Sequence, residues 1–165
     1  MQQTSLTATR LDDAATELIG EHVRRLLSTI GLEDLQVTCD ASEVGILRIS
    51  IGAGEEGRSL IGAQGAHLAS LQHIIRCVLR RHIESDVHIL VDVNGYRARR
   101  EKSLYSLAEE VARKAQRTGR PVAMSPMSAL DRRTIHTALA AHKDIVTESM
   151  GDGPDRRVIV RPVFL

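Results

Sequence analysis

The chain has no tryptophan, one phenylalanine and two tyrosines. So small an aromatic supply excludes any function that stacks bases on an aromatic platform, such as an RRM sheet or an OB-fold groove. Cysteine is also scarce. Cys39 and Cys77 lie far apart in apolar contexts, which predicts buried thiols in a reducing compartment rather than a disulfide framework or a metal pair. No run approaches the roughly 20 apolar residues of a membrane helix. Met1 to Arg10 has no apolar signal core, so the expectation is a soluble, cytoplasmic protein. His67 and His73 are six apart with no carboxylate or thiol to complete a metal site, so no metal is expected. With no nucleophile elbow, Cys/His signature or paired-carboxylate motif, neither an enzyme nor a cofactor is expected.

What is present is ordinary globular material. The chain has 165 residues, 42% hydrophobic and 26% charged, enough for one domain or two small ones. The net charge of +1 hides a division. Residues 1–57 carry 4 basic and 10 acidic groups, net −6, while residues 58–165 carry 18 and 11, net +7. Arginine outnumbers lysine 19 to 3, which suits forked contact with phosphate.

Residues 11–30 repeat Ala15, Ile19, Val23, Leu26 and Ile30 at helical spacing. Leu35, Val37, Cys39 and then Leu47, Ile49, Ile51 alternate as two strands of a hairpin. Arg58–Ile61 allows one helical turn, and residues 66–82 read as a long helix. Its apolar face is Leu68, Leu71, Ile75, Val78 and Leu79, with His73, Arg76 and Arg80 opposite. A third strand, Val87 to Val93, ends at Asn94-Gly95. Beyond it, residues 97–117 predict a helix burying Leu104, Leu107, Ala108, Val111 and Ala115. An extended piece (Val122–Met124), a helix opened by a Ser128/Asp131 capping box, and two strands around Ile145–Glu148 and Arg156–Arg161 complete the chain.

Two glycine patterns compete for a functional meaning. Gly52-x-Gly54-x-x-Gly57 matches a dinucleotide fingerprint in letters only, because Gly62 and Gly65 interrupt the helix that should follow and Glu55 and Glu56 would repel a pyrophosphate. The second is Ile61-Gly62-Ala63-Gln64-Gly65 ahead of the Ala66 helix. Two glycines three apart let the chain reverse between helices, and the amides that follow face an anion along the helix dipole. A Gly-x-x-Gly loop clamps a nucleic-acid backbone in this way, and the expectation is that Gly62 and Gly65 serve binding more than folding.

The order helix, strand, strand, short helix, helix, strand with Ile-Gly-x-x-Gly resembles a type II KH domain. The continuation is as specific: Val91-Asp92-Val93-Asn94-Gly95-Tyr96-Arg97-x-Arg99-Arg100, Thr118-Gly119-Arg120-Pro121-Val122, Pro126-Met127, Asp131-Arg132-Arg133-x-Ile135-His136 and Arg156-Arg157-Val158-Ile159-Val160-Arg161-Pro162. Together these resemble the Jag/KhpB family of bacterial KH plus R-3-H proteins over about residues 11–162. The resemblance implies an α+β protein, a type II KH domain over 1–95 and a small R-3-H α/β domain over 96–165 whose first helix is also the linker. It implies a non-catalytic regulator of the cell envelope that binds single-stranded RNA (or single-stranded DNA). It further implies a small single-KH protein or a second copy as partner, and association with a membrane-protein insertase. The extra N-terminal domain of many relatives is not seen ahead of the KH helix, and Ala63-Gln64 replaces the basic residue usual between the glycines.

On this reading Gly62, Ala63, Gln64 and Gly65 hold the backbone, Arg58 supports them, and apolar residues near Ile61 and Leu68 floor a groove for about four nucleotides. Arg97, Arg99, Arg100 and Lys102 crowd the first turn of the third long helix, where cations oppose the helix dipole. Arg99, Lys102, Arg113 and Arg117 share its solvent face, so a phosphate partner is expected there. Arg132 and His136, four apart on a helix, offer a forked donor and a ring that charges near a reference pKa of about 6.5. They are expected at the solvent edge beside Ile135 and Leu139, with Arg133 further round and Arg157 and Arg161 extending the surface. The rival expectation is a protein-interaction or dimerisation module with weak RNA binding.

Overall fold

The computed structural model describes residues 11–81, 83 and 87–163; the segment Met1 to Arg10, read above as lacking a signal core, lies outside them. The fold is α+β. Two compact units divide between Tyr96 and Arg97.

The first unit opens with α1 (Asp13–Thr29), capped by the Asp12 carboxylate, which accepts from Ala15 N at 2.8 Å. Its buried stripe is Ile19, Val23 and Leu27. Ile30, expected on that stripe, is the C-cap and stands 59% exposed, because the chain has left helical geometry there. Strands β1 (Gln36–Asp40) and β2 (Ile46–Gly52) pair antiparallel, with Val37 opposite Ile51 and Cys39 opposite Ile49. β3 (His88–Val93) then lies parallel to β2, with Ile49 beside Val91. A parallel neighbour needs a crossover, which α2 (Gly57–Ile61) and α3 (Ala66–Leu79) provide. Alternation puts Leu47, Ile49, Ile51, Ile89, Val91 and Val93 on one face, in one core with the α1 stripe and Leu68, Leu71, Ile75 and Leu79 of α3.

β3 is an edge strand of the order β1-β2-β3. Gln72 Oε1 accepts from Val91 N at 3.0 Å, and Arg76 donates through Nε and Nη2 to the Ile89 carbonyl at 3.1 and 2.9 Å. Arg76 is thus not on the solvent face where its spacing put it; it closes backbone groups that an edge leaves open. Asn94 pins the exit of β2: its Oδ1 accepts from Ala53 N at 2.8 Å and its Nδ2 donates to the Gly54 carbonyl at 3.0 Å. A side chain at Gly57 would run into that amide, so the third glycine of the Gly-x-Gly-x-x-Gly pattern makes room for a neighbour, and the helix after it is only 5 residues long.

In the second unit α4 (Tyr96–Thr118) leads to β4 (Val122–Ala123), α5 (Ala129–Leu139), β5 (Ile145–Met150) and β6 (Arg157–Pro162). The sheet order is β4-β6-β5, antiparallel throughout. The face of α4 in the core is Leu104, Ala108, Ala112 and Ala115. Leu107 is 41% exposed and Ala112 takes the seat expected for it. Ile135 and Leu139 of α5 join Ile145, Val158 and Val160 of the sheet. Ser128 caps α5 by accepting from Asp131 N at 3.1 Å. The Asp131 carboxylate does not complete a reciprocal capping box, because it is held by Arg100 (Nη2 to Oδ2, 2.8 Å). Cys39 is half-buried and Cys77 is exposed. The expectation of two buried thiols therefore fails for Cys77, which lies on the open side of α3 near His73 (Sγ to Nε2, 3.7 Å).

Candidate nucleic-acid interface

Between α2 and α3 the chain reverses in one short turn, Ala63–Gly65. Gly62 ends α2 at φ 68°, Gln64 sits at φ 53°, and Gly65 enters α3 at φ 83°. All three are in the left-handed region that favours glycine. A Cβ at Gly62 would overlap the imidazole of His67, and one at Gly65 would come within 2.9 Å of the Tyr96 ring. Both glycines are therefore required by the fold, and the expectation that they serve binding more than folding is corrected on that ground. Ala63 and Gln64 are exposed at the tip, and so is Arg58 on α2. Ile61 is half-buried against the core. Leu68 is 2% exposed and belongs to that core, so it is no groove floor.

The cations of α4 divide into two kinds. Arg99, Lys102, Arg113 and Arg117 are exposed and Arg97 is half-buried. Arg100 differs: its guanidinium is spent on Asp131, whose side chain is 8% exposed against 28% for Arg100. Such a pair is a fixture of the unit's interior, which removes Arg100 from the expected phosphate cluster. Sequence reasoning missed two cations nearby. Lys114 and Arg120 line an open groove of about 610 Å³ with Thr118, Pro121, Val122 and Ala123, beside the edge strand β4. No periodicity would single them out.

The Arg-x-x-x-His pair departs in part from its expectation. Arg132 Nη1 donates to the Met127 carbonyl at 3.0 Å. His136 is half-buried, with Nδ1 2.6 Å from Thr147 Oγ1 and Nε2 2.9 Å from Ser149 Oγ. Both ring nitrogens are thereby engaged by β5. Burial, and then the Arg132 charge, push the His136 pKa below its ordinary value of 6.5. The ring thus lies at the solvent edge beside Ile135 and Leu139, as expected, but is held by β5 and is not ready to charge near 6.5. Arg133 is exposed.

Arg157 and Arg161 do not extend this surface. Thr147 and Ser149 pair with Val160 and Val158, which are buried on the helix side of the sheet. Arg157 and Arg161 alternate with those valines and so point to the other side. There Arg157 Nε donates to the Asp155 carbonyl at 3.0 Å and Arg161 Nε lies 3.4 Å from Glu148 Oε2.

The histidine contacts give a testable sign. A histidine whose folded pKa lies below its unfolded value destabilises the fold on protonation. The loss begins as pH falls below about 6.5 and grows towards the depressed folded pKa. Acidifying from pH 7.5 to 5 should therefore lower the melting temperature of the second unit, and His136→Ala should shrink that dependence. At pH 7.5 the same substitution should cost about 1–2 kcal/mol for two lost hydrogen bonds. Calorimetry at both pH values checks it; an unchanged pH dependence in the variant contradicts the assignment.

Among the described residues no helix is long and apolar enough to cross a membrane, and no group of three or more His, Cys, Asp or Glu is placed to hold a metal.

The family model of the R-3-H domain matches residues 102–162. "RNA-binding protein KhpB" of Clostridium symbiosum is 38% identical over 107 residues, 65% of this chain and 48% of that protein. The protein of the same name from Bacillus subtilis is 31% identical over 109 residues, 65% of this chain and 52% of its own. That of Lactiplantibacillus plantarum is 38% identical over 101 residues, 61% and 31%. The chain spans about half the length, or less, of these relatives. Residues 102–162 thus match the R-3-H domain, and about two thirds of the chain is similar to these Jag/KhpB relatives.

Proposed function

We propose that this chain binds single-stranded RNA without catalysis, gripping backbone phosphates at the Gly62–Gly65 loop of a type II KH domain, with the exposed cations of α4 as a second contact. The observation that carries this reading is the loop itself. It is a tight reversal, braced from below, that presents Ala63 and Gln64 to solvent at the start of α3 with Arg58 exposed on α2. The relatives, each named an RNA-binding protein, support it. Arg99, Lys102, Arg113 and Arg117 are the cations we assign to the second contact, with Arg133, exposed on α5, and Arg132, whose Nη1 is held by the Met127 carbonyl, as further candidates. Arg100 and His136 have internal partners and are left out. Single-stranded DNA is the nearest alternative ligand, because phosphate contacts read no 2′-hydroxyl. A small KH protein or a second copy as partner, and an insertase at the membrane, remain proposals from the family resemblance.

The test is the double variant Ala63→Asp with Gln64→Asp. It puts two negative charges where a phosphate would sit and leaves both glycines intact. Aspartate tolerates the left-handed φ of position 64 better than most residues, so the melting temperature should hold within about 2 °C. Affinity for an octauridylate should fall about tenfold or more, since like charges close to a phosphate cost several kcal/mol when poorly screened. Equal affinity in the variant and the parent would remove the loop as the binding site.

A further inference from the structure

We infer that His67 is the loop's own cation: its imidazole takes up a proton when phosphate binds and supplies the charge that Ala63 and Gln64 do not. The inference rests on the reading of the Gly62–Gly65 loop as the RNA site and deepens it.

Two observations place the ring. A Cβ built on Gly62 would fall on the Cγ, Cδ2 and Nδ1 atoms of His67, so the imidazole lies directly against the first glycine of the loop. Its Nδ1 is 2.7 Å from the Ser59 carbonyl oxygen. A carbonyl only accepts, so Nδ1 carries the hydrogen in either charge state. The neutral tautomer is thereby fixed, and Nε2 is the atom that gains or loses a proton. Nε2 has no partner among the described residues, and His67 is exposed. In the neutral ring Nε2 presents a lone pair, which repels a phosphate oxygen. Protonated from solvent, the same atom becomes a charged donor beside the loop amides. A bound phosphate favours that charge. Proton uptake is therefore coupled to binding.

Other charged groups share this neighbourhood. Arg58 lies on α2 with Glu55 and Glu56 in the turn before it; β3 carries His88 and Asp92, and α3 itself carries His73 and Arg76. On α1, which also packs on α3, stand Asp13, Glu17, Glu21, His22, Arg24 and Arg25. Arg76 is occupied on Ile89. The other histidines would give any pH effect of their own equally with or without His67, so substitution at this one position separates them.

Octauridylate affinity is measured at pH 8.0 and pH 5.5 at one ionic strength. In the parent it should rise about fivefold or more on acidification; one coupled proton allows at most a tenfold rise per pH unit. In His67→Gln the rise should fall below about twofold. A variant that keeps the full rise overturns the inference and leaves the loop site standing. Loss of all octauridylate binding by the parent, at either pH, overturns both. Should His67→Gln fail to fold, the ring resonances of His67 in the parent decide. Their titration midpoint should move upward by about half a pH unit or more with octauridylate present, and an unmoved midpoint overturns the inference.

Discussion

Gly62→Ala and Gly65→Ala should each lower the melting temperature of the first unit by about 10 °C or more. Two costs add at each position. A left-handed φ of 68° or 83° penalises an L side chain by roughly 1–2 kcal/mol. The new methyl also meets the ring of His67 or Tyr96 closer than any ordinary contact, and forcing a packed ring aside costs about 1–3 kcal/mol. The sum is about 2–5 kcal/mol, and 1 kcal/mol is worth about 4–8 °C in a domain of this size. Gly62→Ala is the harsher change, because the overlap falls at the root of the imidazole, where rotation gives little relief. Thermal unfolding followed by circular dichroism checks the prediction. Glycine variants with parental stability would mean that neither ring braces the loop. If they are destabilised as expected, RNA binding lost in them says nothing about contact, which is why Ala63 and Gln64 are the positions for that test.

Asp131→Ala should destabilise the second unit by about 2–3 kcal/mol. Asp131 is 5% exposed at the start of α5, and its carboxylate holds Arg100 of α4. Removing one member of a buried pair leaves the other desolvated and unmatched, at about 3–5 kcal/mol. The guanidinium here keeps partial access to water, which reduces the figure. Replacing both, Arg100→Leu with Asp131→Leu, should recover most of the loss, since an apolar pair avoids both desolvation costs. Denaturant titration of the two variants decides. A double variant no better than the single would show that Asp131 acts alone at the start of its helix.

Much of the architecture was legible because it obeys two short periods. Alternation in 47–51 and 87–93, and helical spacing in α1 and α3, mark elements whose buried faces are large aliphatic residues. The reading failed where a different physical quantity decided. On α4 it named Leu104, Ala108 and Ala115 rightly but added Leu107 for its bulk and passed over Ala112, whose small side chain completes the packed face. The turn at Gly62–Gly65 was legible from its glycines. Its braces were not, because the Tyr96 ring that fills the space under Gly65 is reached only across the crossover. The Arg-x-x-x-His pair shows the same limit. Spacing of four makes Arg132 and His136 neighbours but is silent about what lies over them. The partners of His136 are 11 and 13 residues further on, at alternate positions of β5. Asp131 and Arg100 meet across 31 residues, and nothing local connects them.

The side chains that α3 lays along β3 bear on how chains of this kind can join. A strand arriving at β3 from outside would need the Val91 amide and the Ile89 carbonyl, and Gln72 and Arg76 already hold both. Eviction would strand a glutamine amide and a guanidinium in a half-buried setting, so growth of this sheet by strand addition on that side is self-limiting. Any strand that joins this sheet would have to add at the other edge, β1, and not past β3. Fibre-like stacking along that margin is blocked by two polar side chains that a count of hydrophobic residues would never weigh.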